Sequence, residues 1–465
     1  MLFILHNINC AILTYIPNIQ DAESERAFMK VAFYTLGCKV NQYETQMLEG
    51  MFAGEGYEIV SHEEQADLYV VNSCTVTAQG DRKTRQILRR FKKQNPGAKV
   101  ALTGCFPQAF PDAAAKIPEA DIIAGNRSRS GFVKLAERAF CTGERIIEIV
   151  PHQRGEPFEG GYARSSERTR AFVKIEDGCE RYCAYCIIPT ARGPVRSKPL
   201  AEISLELEQL AREGYREAVL TGINLSCYGK EYGLRLADAV EAACKTSISR
   251  VRLGSLEPEL LEPGQIDRLA AQKKLCPQFH MSLQSGCNAT LRRMKRHYTA
   301  EEYAGIAADL RKKFPHCAIT TDIMAGFPGE TEEEFMESLA FAKKTGFAKA
   351  HIFAYSPRPG TKAAEMPDQI EASVKNQRAA RLSQAMAESR KIYLQSQIGE
   401  TLQVLFETNR DGIWEGYGEN YVPVRVKTTE NLQGKILSVS IIDIEEDSCL
   451  GQLESAVSNP NTEIF

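Results

Sequence analysis

No stretch of this chain is apolar for long enough to span a bilayer, and no excess of basic residues gives it a global positive field. Lys and Arg number 57 against 60 Asp and Glu, a net charge of -3, so a polyanionic partner has to meet a local patch. Fourteen cysteines in 465 residues are too sparse for a secreted disulfide scaffold. Three of them are tightly grouped with metal-ligand spacing, which points to a reducing compartment, the cytoplasm. The first 28 residues begin apolar but lack a basic leading segment, and their apolar run is broken. Met29 reads as the start, with residues 1–28 an extension or a misassigned initiator; a genuine disordered leader is the competing reading. Hydrophobic residues at 43% and charged residues at 25% are those of an ordinary soluble protein, and the length allows about three domains.

The grouped cysteines lie in "DGCERYCAYCIIPTARG", residues 177–193, and their spacing Cx3Cx2C lacks a fourth member. A structural zinc site needs four ligands and a redox dithiol two. A cubane iron-sulfur cluster on Cys179, Cys183 and Cys186 would leave one iron free to bind a small molecule.

From Met29 to about residue 146, strand-like runs alternate with helix-like segments. "VAFYTL", "LYVVN" and "VALT" suit βα units on a mostly parallel open sheet. Each run ends beside a cysteine: Cys38, Cys74 and Cys105. Sites in such sheets lie at the carboxyl ends of strands, so these three could converge; buried free thiols are the plain alternative. Residues 81–99, "DRKTRQILRRFKKQNPGAK", carry eight Lys or Arg against one Asp, with Ile87, Leu88 and Phe91 as an apolar stripe. The pattern is an amphipathic helix whose basic face is either solvated or a nucleic-acid contact through Arg89, Arg90, Lys92 and Lys93.

Residues 147–170 are polar and read as a linker. Residues 171–369 repeat βα units, with strands expected at 217–222, 251–255, 279–286, 318–326 and 348–356 after the one that enters the cysteine loop. Helices are expected at 200–213, 234–245, 301–314 and 331–344, the last entered through a capping box of Thr331 and Glu334. Six strands make an incomplete (β/α)6 barrel. "LRRMKRHYT" adds Arg292, Arg293, Lys295 and Arg296 as candidate phosphate contacts. A connecting helix at 370–397 leads to short β runs over 398–450, a small all-β barrel, followed by a polar tail at 451–465. In that barrel Trp414 and Tyr421 offer faces for bases and Arg425 offers charge, with core packing the competing role for Trp414.

Cx3Cx2C with Tyr185 before the last cysteine, "TLGCKVNQYET" around Cys38 and the C-terminal β module together resemble the radical S-adenosylmethionine methylthiotransferase family, from Met29 to about residue 450. Within it the "GCKVNQYET" block is most similar to the bacterial tRNA enzymes acting on N6-threonylcarbamoyladenosine at position 37.

The resemblance implies an N-terminal methylthiotransferase domain (29–146), a radical SAM barrel (171–369) and a TRAM-like RNA-binding barrel (398–450). It implies two 4Fe-4S clusters, one on Cys179, Cys183 and Cys186 and an auxiliary one on Cys38, Cys74 and Cys105. S-adenosylmethionine would serve as both methyl donor and radical source, held near Tyr185, Thr221, Gly222, Asn224, Ser255, Glu257, Gln284 and Gly326. The partners it implies are a tRNA anticodon stem-loop, an external low-potential electron donor and a sulfur source, and no membrane. The expected reaction is methylthiolation of C2 of the modified adenosine. Isopentenyladenosine in tRNA or a ribosomal-protein aspartate are the alternative substrates, and a non-catalytic iron-sulfur RNA-binding protein is the alternative of another class.

Overall fold

The computed structural model describes residues 29–127, 129–162 and 169–454; the expected extension at 1–28, part of the linker and the last eleven residues of the tail lie outside them. The first domain carries β1 (Lys30–Thr35), α1 (Lys39–Gly54), β2 (Glu58–Val60), β3 (Leu68–Ser73), α2 (Ala78–Gln94), β4 (Lys99–Gly104), α3 (Cys105–Ala109), β5 (Ile122–Ala124), α4 (Phe132–Thr142) and β6 (Ile146–Glu148). Its six strands form one sheet in the order β2-β1-β3-β4-β5-β6, parallel throughout. Strand β3 is buried at every position, as expected of a strand covered on both faces. Leu48 and Phe52 of α1 pack with Phe132 and Ala136 of α4 on one face; Ile87, Leu88 and Phe91 of α2 pack on the other. Each such large side chain stabilises the sheet by about 1.5–3 kcal/mol.

The second domain has seven parallel strands in two arcs, two of them consecutive across a single glycine and sharing one of six barrel positions. β7 (Arg170–Lys174), β8 (Glu217–Thr221) and β9 (Arg250–Leu253) form the first. β10 (Ser255–Leu256), β11 (Gln278–Met281), β12 (Ala318–Ala325) and β13 (Lys349–Ala354) form the second. The arcs meet where the chain passes from β9 to β10 at Gly254, and a bridge from Val251 to Leu275 ties them. The barrel is therefore incomplete, as the βα count requires. The predicted capping box is present: the Thr331 hydroxyl accepts from the Glu334 amide and the Glu334 carboxylate accepts from the Thr331 amide, each at 3.2 Å. Such a cap contributes about 1 kcal/mol.

A long helix, Ala372–Gln395, leads to a closed five-stranded barrel of β14 (Thr401–Arg410), β15 (Ile413–Tyr417), β16 (Pro423–Lys427), β17 (Ile436–Glu445) and β18 (Ser448–Leu453). β18 stays paired to β17 through Leu453, so the first three residues assigned to the tail belong to the barrel. Arg250 and Arg252 fasten this barrel to the second domain. Their guanidiniums donate to the carbonyls of Gln403 at 2.7 Å and Glu419 at 2.9 Å, and both are held by the buried Glu217.

Candidate cofactor and substrate site

β1, β3 and β4 are neighbours in the first sheet, and Cys38, Cys74 and Cys105 follow their carboxyl ends. Three thiols about thirty residues apart therefore share one sheet edge. The crowding there is extreme at Gly104, whose φ is +98° and where a Cβ would lie 2.5 Å from the Asn72 side chain. Burial pushes the Cys105 thiol up to about 12, against the pull of the Arg192 guanidinium. Arg192 Nε donates to Cys105 Sγ at 3.1 Å, and Asn41 Oδ1 accepts from both Arg192 at 3.3 Å and Cys38 Sγ at 3.2 Å.

Arg192 ends the short helix Ile188–Arg192 that follows the Cx3Cx2C loop. Its other nitrogens hold Glu44 on α1, where Arg129 and Lys174 also converge at 3.0 and 3.2 Å. All four side chains are buried, and the three cations hold the Glu44 carboxyl down at about 2 despite desolvation. A second clamp joins the domains where Arg358, in the "YSPRPG" segment at 355–360, donates to Thr75 Oγ1 at 2.8 Å and to Asp81. Sequence reading missed Glu44, Arg192 and this network. The signal was the strongly basic "TARGPVRS" beside the cysteines.

In the loop itself, Asn224 Nδ2 faces Cys179 Sγ at 3.7 Å and Arg296 Nη1 faces Cys183 Sγ at 3.3 Å. Burial pushes Cys179 up to about 11 and Cys186 up to about 12. Among the described residues no three His, Cys, Asp or Glu side chains converge as they would on a single metal ion. A cubane, in which each cysteine ligates a different iron, does not need its three thiols to converge on one ion. The donor set fits an iron-sulfur group in two further respects. Only thiols are offered, and guanidinium or amide N–H groups already point at their sulfurs, which favours bound thiolate.

The expected cofactor residues gather beside this loop. Thr221 ends β8 and Gly222 follows it; a Cβ at Gly222 would lie 2.6 Å from Glu176 Oε2. The Asn224 amide donates to the same Oε2 at 2.7 Å. Burial raises the Glu176 carboxyl well above its ordinary range. Among the described residues three buried oxygens, Glu176 Oε1, Asn224 Oδ1 and Gln284 Oε1, have no partner and are open to a ligand's polar groups. Tyr185 packs edge-on against Phe327, Ser255 is exposed at the start of β10, and Glu257 pairs with Arg296. At Gly326, φ +73°, the space a side chain would fill holds Lys375 of the long helix, at 2.3 Å from a built Cβ.

Both halves open on one cavity of about 860 Å³. Cys38 and Lys39 line it from the first domain, Thr221, Gly222, Ser255, His280 and Asp322 from the second, and Tyr417 and Tyr421 from the C-terminal barrel.

The expected RNA contacts divide. Arg89, Arg90 and Lys93 are exposed on α2, although Arg89 reaches Glu119 at 3.1 Å and Arg90 lies 3.9 Å from Glu63; Lys92 is engaged by Asp121 at 2.7 Å. Arg292 and Lys295 are exposed, whereas Arg293 is paired with Glu334. Arg296 is a correction: its side chain is 5% exposed and belongs to the cysteine loop, because the chain turns inward at Lys295, φ +58°. Trp414 is the other correction. It is buried with Val404, Phe406 and Val424 in the barrel core, where its large apolar surface is most stabilising, and presents no face to a base. Tyr421 stacks on Tyr417 with centroids 4.8 Å apart, covered by Arg170 and Arg252, and Arg425 pairs with Glu445 at 2.5 Å.

A parallel barrel of six strand positions with a three-thiol loop following its first strand defines a radical S-adenosylmethionine enzyme, and the profile of the Radical SAM superfamily matches residues 173–342. That of Uncharacterized protein family UPF0004 matches residues 30–125. The chain is 38% identical to the threonylcarbamoyladenosine tRNA methylthiotransferase MtaB of Bacillus subtilis, over 93% of this chain and 98% of that one. It is 34% identical to the tRNA-2-methylthio-N(6)-dimethylallyladenosine synthase of Caldicellulosiruptor saccharolyticus, over 94% and 96%. The radical S-adenosylmethionine methyltransferase TsrM of Kitasatospora setae shares the fold at a TM-score of 0.55 with 16% identity, covering 72% of this chain and 74% of that one. The chain belongs to the radical S-adenosylmethionine methylthiotransferase family.

Among the described residues no helix is long and apolar enough to cross a membrane.

Proposed function

We propose that this enzyme transfers a methylthio group to C2 of N6-threonylcarbamoyladenosine at position 37 of tRNA. The observation that carries the reading is the shared cavity, which brings Cys38 of one three-thiol edge and Thr221, Gly222 and Ser255 of the other site to a single volume. Cys179, Cys183 and Cys186 would hold one 4Fe-4S cluster, and Cys38, Cys74 and Cys105 a second. Bound there with S-adenosylmethionine, these groups supply a radical able to take hydrogen from an unactivated ring carbon, a sulfur to replace it and a methyl group for that sulfur.

The chain's own residues orient and exclude. Asn224 and Arg296 aim N–H groups at Cys179 and Cys183, and the unpartnered oxygens of Glu176, Asn224 and Gln284 are acceptors for the cofactor's ammonium and hydroxyls. Arg192 and Glu44 hold the two domains in one register, which fixes the distance between the sites, and proximity of this kind is worth several kcal/mol of barrier. The anticodon stem-loop would be met by phosphate contacts from α2 and from Arg292 and Lys295, with the C-terminal barrel closing over the cavity. A low-potential electron donor and a sulfur source must come from outside the chain, and free thiols of this number suit the cytoplasm.

Mass spectrometry of nucleosides from bulk tRNA, with and without the gene, tests the reading. Loss of 2-methylthio-N6-threonylcarbamoyladenosine with accumulation of its precursor is the expected result. Loss of the methylthio-isopentenyl nucleoside alone would move the assignment to the other substrate group.

A further inference from the structure

The charges lining the shared cavity are almost all matched. Asp322 is bonded to His280 at 3.1 Å, Glu407 to Arg170 at 2.7 Å, Asp447 to Arg390 at 2.7 Å, and Arg425 stands between Glu415 and Glu445 at 3.5 and 2.5 Å. Two lysines lining the cavity, Lys39 and Lys349, have no carboxylate within ion-pair distance among the described residues. Lys349 is exposed, whereas Lys39 is half-buried. Tyr421 and, more weakly, Glu217 act on Lys39 in favour of its charge, and Arg250 and Arg252 already hold Glu217 at 2.6 and 2.7 Å. The Arg170 and Arg252 guanidiniums act on Lys39 as like charges.

Its place in the fold is equally unfavourable. Lys39 is the first residue of α1, directly after Cys38, and no acidic residue occupies that first turn. A helix N-terminus repels cations, so nothing local rewards a lysine here.

We propose that Lys39 is the specificity-determining residue for the substrate's carboxylate, gripping the threonyl carboxylate of N6-threonylcarbamoyladenosine beside the auxiliary cysteine edge. The inference rests on the substrate reading above and extends it. A threonylcarbamoyl group carries one negative charge at neutral pH; a prenyl group carries none and would leave Lys39 unpaired. A hydrogen-bonded ion pair in an enclosed cavity discriminates strongly against an uncharged analogue, because loss of the charge strands the buried partner.

The test uses the full-length, anaerobically reconstituted protein and fluorescent anticodon stem-loops bearing N6-threonylcarbamoyladenosine, its threonyl methyl ester or unmodified adenosine at position 37. The unsubstituted protein should bind the acid about 10- to 100-fold tighter than the ester, which differs by one charge and little in shape. Lys39→Met should bring that ratio to near one while the ester and the unmodified stem-loop bind as before, and Lys39→Arg should restore part of it. A ratio near one in the unsubstituted protein overturns the proposal without reference to any variant, as does a ratio retained by Lys39→Met at normal iron content. Turnover of the threonylcarbamoyl stem-loop by the same preparation separates the two readings. Methylthiolation with no acid-to-ester preference sinks the role of Lys39 alone, whereas no methylthiolation sinks the substrate assignment on which it stands.

Discussion

Arg192 donates through Nε to the sulfur of Cys105 at 3.1 Å while its terminal nitrogens grip Glu44, so a residue of the radical SAM domain reaches a thiol at the edge of the first domain's sheet. The Cx3Cx2C loop and the auxiliary edge are thereby one mechanical unit. Replacing Arg192 by Met would leave the Glu44 carboxylate buried with two of its three cations. We expect a loss of about 3 kcal/mol in urea unfolding. Lys at this position would keep the charge but lose the fork, and should recover less than half of the loss.

Because the two three-thiol sets occupy different domains, they should be separable. Fully reconstituted protein should hold about eight irons per chain. Cys183→Ala should form no 5'-deoxyadenosine from S-adenosylmethionine and keep about four irons. Cys74→Ala should lose the other set while still cleaving the cofactor. Iron assay with product chromatography reads both, and cleavage lost in Cys74→Ala but kept in Cys183→Ala would reverse the assignment.

The basic face of α2 gives a third prediction. Arg89, Arg90, Lys92 and Lys93 replaced together by Ala should weaken binding of every tRNA tested and flatten its salt dependence. Since Lys92 and Arg89 are already engaged by Asp121 and Glu119, the slope of log affinity against log salt should fall by about two units, not four. Titrations at four salt concentrations measure this, and an unchanged slope would place the RNA elsewhere.

Glu217 makes stability depend on pH in a predictable window. Arg252 and Arg250 hold its carboxyl at about 2, against an ordinary value of 4.5, and outweigh the desolvation that pushes it up. A depressed carboxyl contributes stability that is present above its unfolded value and is lost as pH falls from about 4.5 to about 2. The shift corresponds to about 3 kcal/mol. Glu217→Gln should therefore be less stable by about that amount at neutral pH, with the gap to the parent protein closing through this window. Chemical unfolding at a series of pH values reads it. The loosened element should be the C-terminal barrel, which hangs on Arg250 and Arg252.

What the sequence could determine was local. Cx3Cx2C points to its own chemistry, because three thiols within eight residues stay on one loop whatever the rest of the chain does. The apolar runs of β1, β3 and β4 and the Thr331 cap were legible for the same reason: strand pattern and capping act over a few residues. The shared sheet edge of Cys38, Cys74 and Cys105 was only half legible. Spacing put each after a strand, but it took the sheet order to make those strands neighbours. Charge was the least legible property. The sequence shows that Arg296 sits in a basic run and Trp414 beside aromatics, yet whether such a side chain faces solvent depends on a turn at one residue and on closure of a barrel. Glu44 and Arg192 are 148 residues apart and sit in different domains. Their pairing is decided only when both domains have folded and docked, because a buried ion pair is stable only where packing has already excluded water and brought every partner within hydrogen-bond reach.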